Sequence, residues 1–186
     1  MRTIVLGPPG TGKTTTLLNK VDDYLKNTDP DKIGYFAFTQ KAAYHARDEA
    51  IKKFNLTEDD LPYFRTLHSY AFNQVGMTRE KMMGSEDYKE FGEKCGIPIK
   101  VARFSEGDGT FNSDNEYLTI INTAAVKRMD LLEYYDSRKN ILDIEGNTLF
   151  LLAEELKRFK QEKGLKDFND LLEDFIAKEK QNKFEV

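Results

Sequence analysis

Gly7-Pro8-Pro9-Gly10-Thr11-Gly12-Lys13-Thr14 is a G-x-x-x-x-G-K-T segment, and its residue types suit one chemistry, the cradling of a polyphosphate. Glycines let successive backbone N–H groups turn toward a phosphate with no Cβ in the way. The Lys13 ammonium is long enough to reach the β- and γ-phosphates, the Thr14 hydroxyl can ligate Mg²⁺, and Thr15 follows on the same turn. A chain of this length would match the four fixed positions by chance in about 1% of cases. A nucleoside triphosphate with Mg²⁺ is therefore the expected ligand.

The elements that must position this loop are legible on both sides. Thr3-Ile4-Val5-Leu6 reads as an apolar strand leading in. Leu17, Leu18, Val21, Tyr24 and Leu25 recur at helical spacing after it, and such a helix would aim its positive N-terminal end at the phosphates. Asp29-Pro30-Asp31 marks a turn, and Ile33–Phe38 reads as a buried strand. Strand, loop, helix and strand make a βαβ unit and hence a parallel sheet.

Helical periodicity returns over Lys41–Phe54, and Thr57 with Asp60 resembles the cap of a short helix. Tyr63–Leu67 is a third strand and Ser69–Val75 a helix. From Thr78 to about Lys163 the pattern is helical with little that reads as core strand: Ser85–Cys95, closed by Gly96-Ile97-Pro98; a loop over Ser105–Thr110; a helix opened by a Ser113/Glu116 capping box and running to about Asp136; and a stripe of Leu149, Leu152, Leu156 and Phe159 ending near Gly164. Asp167–Lys183 is helical again, and Phe184-Glu185-Val186 could open another strand.

The chain has 186 residues, 32% charged and 39% hydrophobic, with a formal net charge of −4. The acidic balance excludes a wholesale basic wrap around nucleic acid but leaves room for a local groove. No run approaches 18 apolar residues, the start leaves no room for a signal peptide, and a single cysteine, Cys95, fits a reducing compartment. A cytoplasmic protein is the expectation.

Three further segments extend the reading. Ala37-Phe38-Thr39-Gln40-Lys41-Ala42-Ala43 resembles motif Ia of UvrD/Rep-like superfamily 1 DNA helicases, Thr66-Leu67-His68-Ser69 resembles their motif Ib, and Asp167-Phe168-Asn169-Asp170-Leu171-Leu172 resembles the segment leading toward their Walker B strand. Order and spacing also match. The resemblance implies an α/β fold: a P-loop NTPase (RecA-like) parallel sheet, partial, with an α-helical insertion subdomain. Residues 1–79 would be subdomain 1A, 80–162 the helical 1B-like insertion and 163–186 the return to 1A. It implies ATP and Mg²⁺ as cofactors, with the loop Gly7, Pro8, Pro9, Gly10, Thr11, Gly12, Lys13, Thr14 and Thr15 as the nucleotide site. Single-stranded DNA, or a single-strand–duplex junction, is the implied partner.

By the same likeness Thr39 and Lys41 would hold a DNA phosphate, Phe38 would lie near a base, and His68 and Ser69 would donate to another phosphate; Arg47 is a weaker candidate. Hydroxyls, ammonium and imidazole hold a backbone without reading sequence, and an aromatic face stacks on any base. Read without the resemblance, Phe38 is equally a core residue, Thr39 a helix cap, Lys41 a solvated lysine, and Asp167 and Asp170 a structural cap. Only six residues precede Gly7, which leaves no upstream adenine-reading glutamine motif, and the sequence reaches Val186 before an Asp-Glu Walker B pair. The expectation is thus the front part of a helicase, needing the C-terminal helicase domains of the same parent chain, inactive as a motor alone. A short non-catalytic nucleotide- or DNA-binding P-loop protein and a small P-loop kinase are the alternatives.

Overall fold

The computed structural model describes residues 4–8, 10–104 and 111–178. It is a mixed α/β chain whose described residues fall into two compact units, with the division between Tyr70 and Ala71.

In the first unit, β1 (Tyr35–Ala37) and β2 (Phe64–Thr66) pair in parallel, with Tyr35 opposite Phe64, Phe36 opposite Arg65 and Ala37 opposite Thr66. The crossover between them is α2 (Gln40–Phe54). Side chains alternate across a strand, so Tyr35 and Phe64 share one face and stack with ring centroids 5.2 Å apart. That face is covered by α1 (Lys13–Leu25) and α2: Leu18, Val21, Ile33, Ala50, Leu61 and Phe64 form its buried core. Small residues Ala43, Ala46 and Ala50 line the buried stripe of α2, and the helix ends where Asn55 takes a left-handed conformation, φ 54°.

The strand expected over Thr3–Leu6 is not formed. Thr3 lies outside the described residues; Ile4 and Leu6 are 82% and 88% exposed, and residues 4–8 have no regular structure. A strand exists only through its partners, and among the described residues β1 pairs with β2 alone. Thr57 and Asp60 also depart from the expectation. The Asp60 carboxylate accepts from the Thr57 N–H and hydroxyl, both at 2.7 Å, yet the segment stays a turn without a helix.

Helix α3 (Leu67–Val75) carries the chain across the division. The second unit is mainly helical: α4 (Ser85–Cys95), α5 (Glu116–Val126), α6 (Leu131–Asp136), α7 (Gly146–Lys163) and α8 (Phe168–Ala177). One cluster joins Tyr88 and Phe91 of α4 to Leu118 of α5 and to Leu152, Leu156 and Phe159 of α7. A second joins Ile120 and Ala124 to Tyr134 and Leu149, so α5 serves both.

Two features here correct the sequence reading. An antiparallel hairpin, β3 (Ala102–Phe104) with β4 (Phe111–Ser113), sits where only helices and a loop were expected. The tip expected over Ser105–Thr110 lies outside the described residues. The helix from Ser113 to Asp136 is in fact two. Asn115 caps α5 by accepting from the Leu118 N–H at 3.1 Å, while Ser113 Oγ accepts from the Asn115 N–H. The chain then breaks at Arg128, φ 52°, and Asp130 caps α6 through the N–H groups of Leu132 and Glu133. A β-carbon residue in the left-handed region cannot continue a helix, and a free carboxylate two residues on restarts one.

Candidate nucleotide and nucleic-acid sites

The loop Gly7–Thr14 takes the shape its glycines allow. Gly10 and Gly12 have φ of 80° and 75°, a conformation that costs a residue with Cβ about 1–2 kcal/mol. Gly7 is needed for space: a Cβ there would stand 2.5 Å from Thr11 Oγ1. The Thr11 hydroxyl donates to the Pro8 carbonyl at 2.8 Å and the Thr16 hydroxyl to the Gly12 carbonyl at 3.0 Å. Helix α1 starts at Lys13, so the free N–H groups of its first turn open onto the loop. Lys13 Nζ donates to the carbonyl oxygens of Gly7 (2.7 Å) and Pro8 (2.6 Å). The ammonium is thus folded over the loop rather than extended into solvent. Pro9 lies outside the described residues, and Thr15 is exposed on α1.

Thr14 is half-buried. Burial raises the Tyr35 phenol above its ordinary value, and hydrogen bonding with the Thr14 side chain offsets part of the rise. Tyr35 is a neighbour of the loop that sequence reasoning missed. The available signal was a phenol standing in an otherwise apolar strand.

The motif Ia and Ib residues are brought together by one register. Ala37 and Thr66, the last residues of two parallel strands, are paired, so Phe38-Thr39 and Leu67-His68 leave the sheet side by side at its carboxyl edge. Thr39 caps α2, its hydroxyl accepting from the Ala42 N–H at 3.2 Å. Thr66 is buried, and its hydroxyl accepts from the Ser69 N–H at 3.2 Å, fixing the first turn of α3. Two helix N-termini therefore start at this edge, where ligands of open parallel sheets bind. Phe38 is 71% exposed, so the core alternative for it is excluded. Lys41 is exposed, whereas His68 and Ser69 are half-buried. Burial lowers the His68 imidazole below its ordinary value, which keeps it neutral at pH 7.

Arg47 is occupied elsewhere. Its guanidinium meets Glu58 at 2.5 Å and lies 4.9 Å from the centre of the Tyr44 ring. A residue so engaged supports the fold of α2 more than a ligand track.

In the second unit the structural reading of Asp167 and Asp170 holds. Asp167, 7% exposed, caps α8 by accepting from the N–H groups of Asn169 and Asp170, and Asp170 returns a bond to the Asp167 N–H at 2.9 Å. Lys160 reaches both carboxylates, at 2.8 and 2.6 Å. Burial by itself would lower the Lys160 ammonium; the two carboxylates outweigh it and hold the group above the ordinary lysine value.

A phosphate-shaped loop, two motif segments meeting at one sheet edge and an Asp-capped return helix are the features on which family membership can be judged. The family model described as "UvrD/REP helicase N-terminal domain" matches residues 1–185. The chain belongs to that family. No curated protein and no solved structure matches it. Among the described residues of this UvrD/REP domain, no helix is long and apolar enough to cross a membrane, and no cluster of His, Cys, Asp and Glu could hold a metal ion by itself.

Proposed function

We propose that this UvrD/REP domain binds ATP with Mg²⁺ at Gly7–Thr15 and single-stranded DNA at the carboxyl edge of β1 and β2, as the N-terminal part of an ATP-driven DNA helicase. Residues 1–79 and 163–186 are then the RecA-like subdomain 1A, and 80–162 the inserted 1B-like subdomain. The observation that carries the reading is the Ala37–Thr66 register, which sets Phe38, Thr39, His68 and Ser69 on one edge.

The loop's geometry supports a nucleotide there: left-handed glycines, no room for a Cβ at Gly7, and an ammonium bridging loop carbonyls. On binding, Lys13 exchanges those carbonyls for β- and γ-phosphate oxygens. Thr14 supplies one oxygen to Mg²⁺, which takes its remaining ligands from phosphate and water; the ion would screen the charge that develops on the phosphoryl group. Thr39 and Lys41 hold one DNA phosphate, Ser69 and neutral His68 another, and exposed Phe38 stacks on a base.

Lys13 and Thr14 alone do not complete phosphoryl transfer, which also needs an acidic residue to place the metal and a cationic group at the γ-phosphate. Stepping needs two domains that close around the nucleotide. These 186 residues are therefore expected to bind nucleotide, hydrolyse it poorly and not unwind DNA, the motor requiring the parent's C-terminal domains. Titration with a fluorescent ATP analogue tests the site: saturable, Mg²⁺-dependent binding lost in Lys13→Ala supports it, and equal binding by the variant overturns it.

A further inference from the structure

The helical unit contains a cavity of about 120 Å³ that neither the nucleotide nor the DNA reading uses. A water needs about 10–15 Å³ of such space, and an apolar cavity of about 150 Å³ takes benzene, so this one has room for a small organic molecule. Its walls are apolar at one end, formed by Phe111, Leu118, Ile121 and Leu156, and polar at the other.

The polar end has an unspent hydrogen-bonding group. Tyr88 lines the cavity and is 2% exposed, yet no described residue gives its hydroxyl a hydrogen bond. The sealed, unpaired side-chain atoms among the described residues are Arg47 Nε and Arg65 Nε, so the Tyr88 hydroxyl opens onto the cavity, where an entering donor can pair with it. Beside it stand Asp167 and Asp170, with one ammonium, Lys160, between them. Asp167 has spent both oxygens, on Lys160 and on the first turn of α8. Asp170 uses Oδ2 for Lys160 and for the Asp167 N–H, while no described residue donates to its Oδ1. Two carboxylates against one ammonium leave this end negative. The same field, added to burial, pushes the Tyr88 phenol far above its ordinary value, so it stays a neutral hydroxyl able to accept. Lys157 stands at the exposed rim.

We propose that this cavity is a binding site for a small primary amine, whose ammonium donates to Tyr88 Oη and Asp170 Oδ1 and whose apolar body lies against Phe111, Leu118, Ile121 and Leu156. An anion would face the carboxylates, and a purely apolar molecule would leave the phenol unpaired. The proposal stands apart from the helicase reading and does not depend on it.

The test is titration of the 186-residue chain with benzylamine and, separately, benzoate, followed by backbone amide shifts at Asn169, Asp170 and Leu171. Benzylamine is expected to shift these amides with an affinity on the order of millimolar, and benzoate to bind at least about tenfold more weakly. Tyr88→Phe should weaken benzylamine about tenfold, the loss of one bond to a charged group. Ala153→Leu, which fills the cavity from α7 without touching its polar end, should abolish binding. Equal affinity for benzylamine and benzoate overturns the proposal, as does undiminished benzylamine binding by a folded Ala153→Leu chain or the absence of any shift.

Discussion

Asp167 makes a strong physical prediction because two separable interactions meet on one carboxylate. Oδ1 accepts from the N–H groups of Asn169 (2.8 Å) and Asp170 (3.0 Å), and Oδ2 from Lys160 Nζ (2.8 Å). Losing an N-cap costs about 1 kcal/mol, within a range of about 0.5–2. Removing one partner of a buried ion pair costs about 3–5 kcal/mol; here Lys160 keeps Asp170, so about 1–2 kcal/mol is the expected share. Asp167→Ala should therefore destabilise the helical unit by about 2–4 kcal/mol. At about 4 °C per kcal/mol for a unit of this size, the midpoint falls by about 8–16 °C. Asp167→Asn keeps a good cap and loses only the charge, so its cost is about 1–2 kcal/mol. Thermal and urea unfolding followed by circular dichroism measures both. If the two substitutions cost the same, or both cost under about 0.5 kcal/mol, the division of labour assigned to this carboxylate is wrong.

Other outcomes follow from single geometric facts. Gly92→Ala places a Cβ 2.8 Å from the Ile97 carbonyl oxygen and should destabilise by about 1–3 kcal/mol, read as a lowered urea midpoint. Gly12→Ala must adopt φ near 75°, so it should weaken nucleotide-analogue binding severalfold while the helical content by circular dichroism holds. Burial sets the folded His68 below its ordinary value of 6.5, so the unfolded chain binds the proton more readily. The stability this contributes is present above about pH 6.5 and lost as pH falls through the folded value. Melting temperatures taken from pH 7.5 to 5.5 should decline in the wild type, and His68→Gln should flatten that slope. Thr39→Val removes the cap bond to Ala42; it should cost about 1 kcal/mol and weaken DNA binding, whereas Thr39→Ser should preserve both.

Much of this fold is written in local patterns. The alanine stripe of α2, the apolar stripe of α7 with Gly164 in the left-handed region after it, and the Asp167/Asp170 capping box all follow from spacing and side-chain chemistry. The two strands that feed the motif segments were legible as Ile33–Phe38 and Tyr63–Leu67, though the Ala37–Thr66 register that pairs them was not. What escaped was decided by non-local pairing. Ile4-Val5-Leu6 has strand composition, but composition does not supply a neighbour to bond with. The β3–β4 hairpin has strands of three residues, too short for an alternation to be recognised. Beside the local contact of Phe104 with Phe111 (5.0 Å), it is held by one no local window contains, Phe104 with Phe168 (4.7 Å). The Arg128 break is invisible because an arginine gives no hint of a positive φ. At the nucleotide site the loop was legible and Tyr35 was not, because its place beside Thr14 depends on how β1 meets α1.

The measurement that bears most directly on the central reading is fluorescence anisotropy of a labelled oligothymidylate titrated with the wild-type chain and with a Phe38→Ala/Lys41→Ala variant. Both side chains are exposed at the carboxyl edge, so the fold and its melting temperature should be unchanged. Loss of one stacked base and one phosphate contact should weaken binding by about tenfold or more and flatten its salt dependence. Equal affinity and equal salt dependence in the two proteins would contradict a DNA track at the β1–β2 edge.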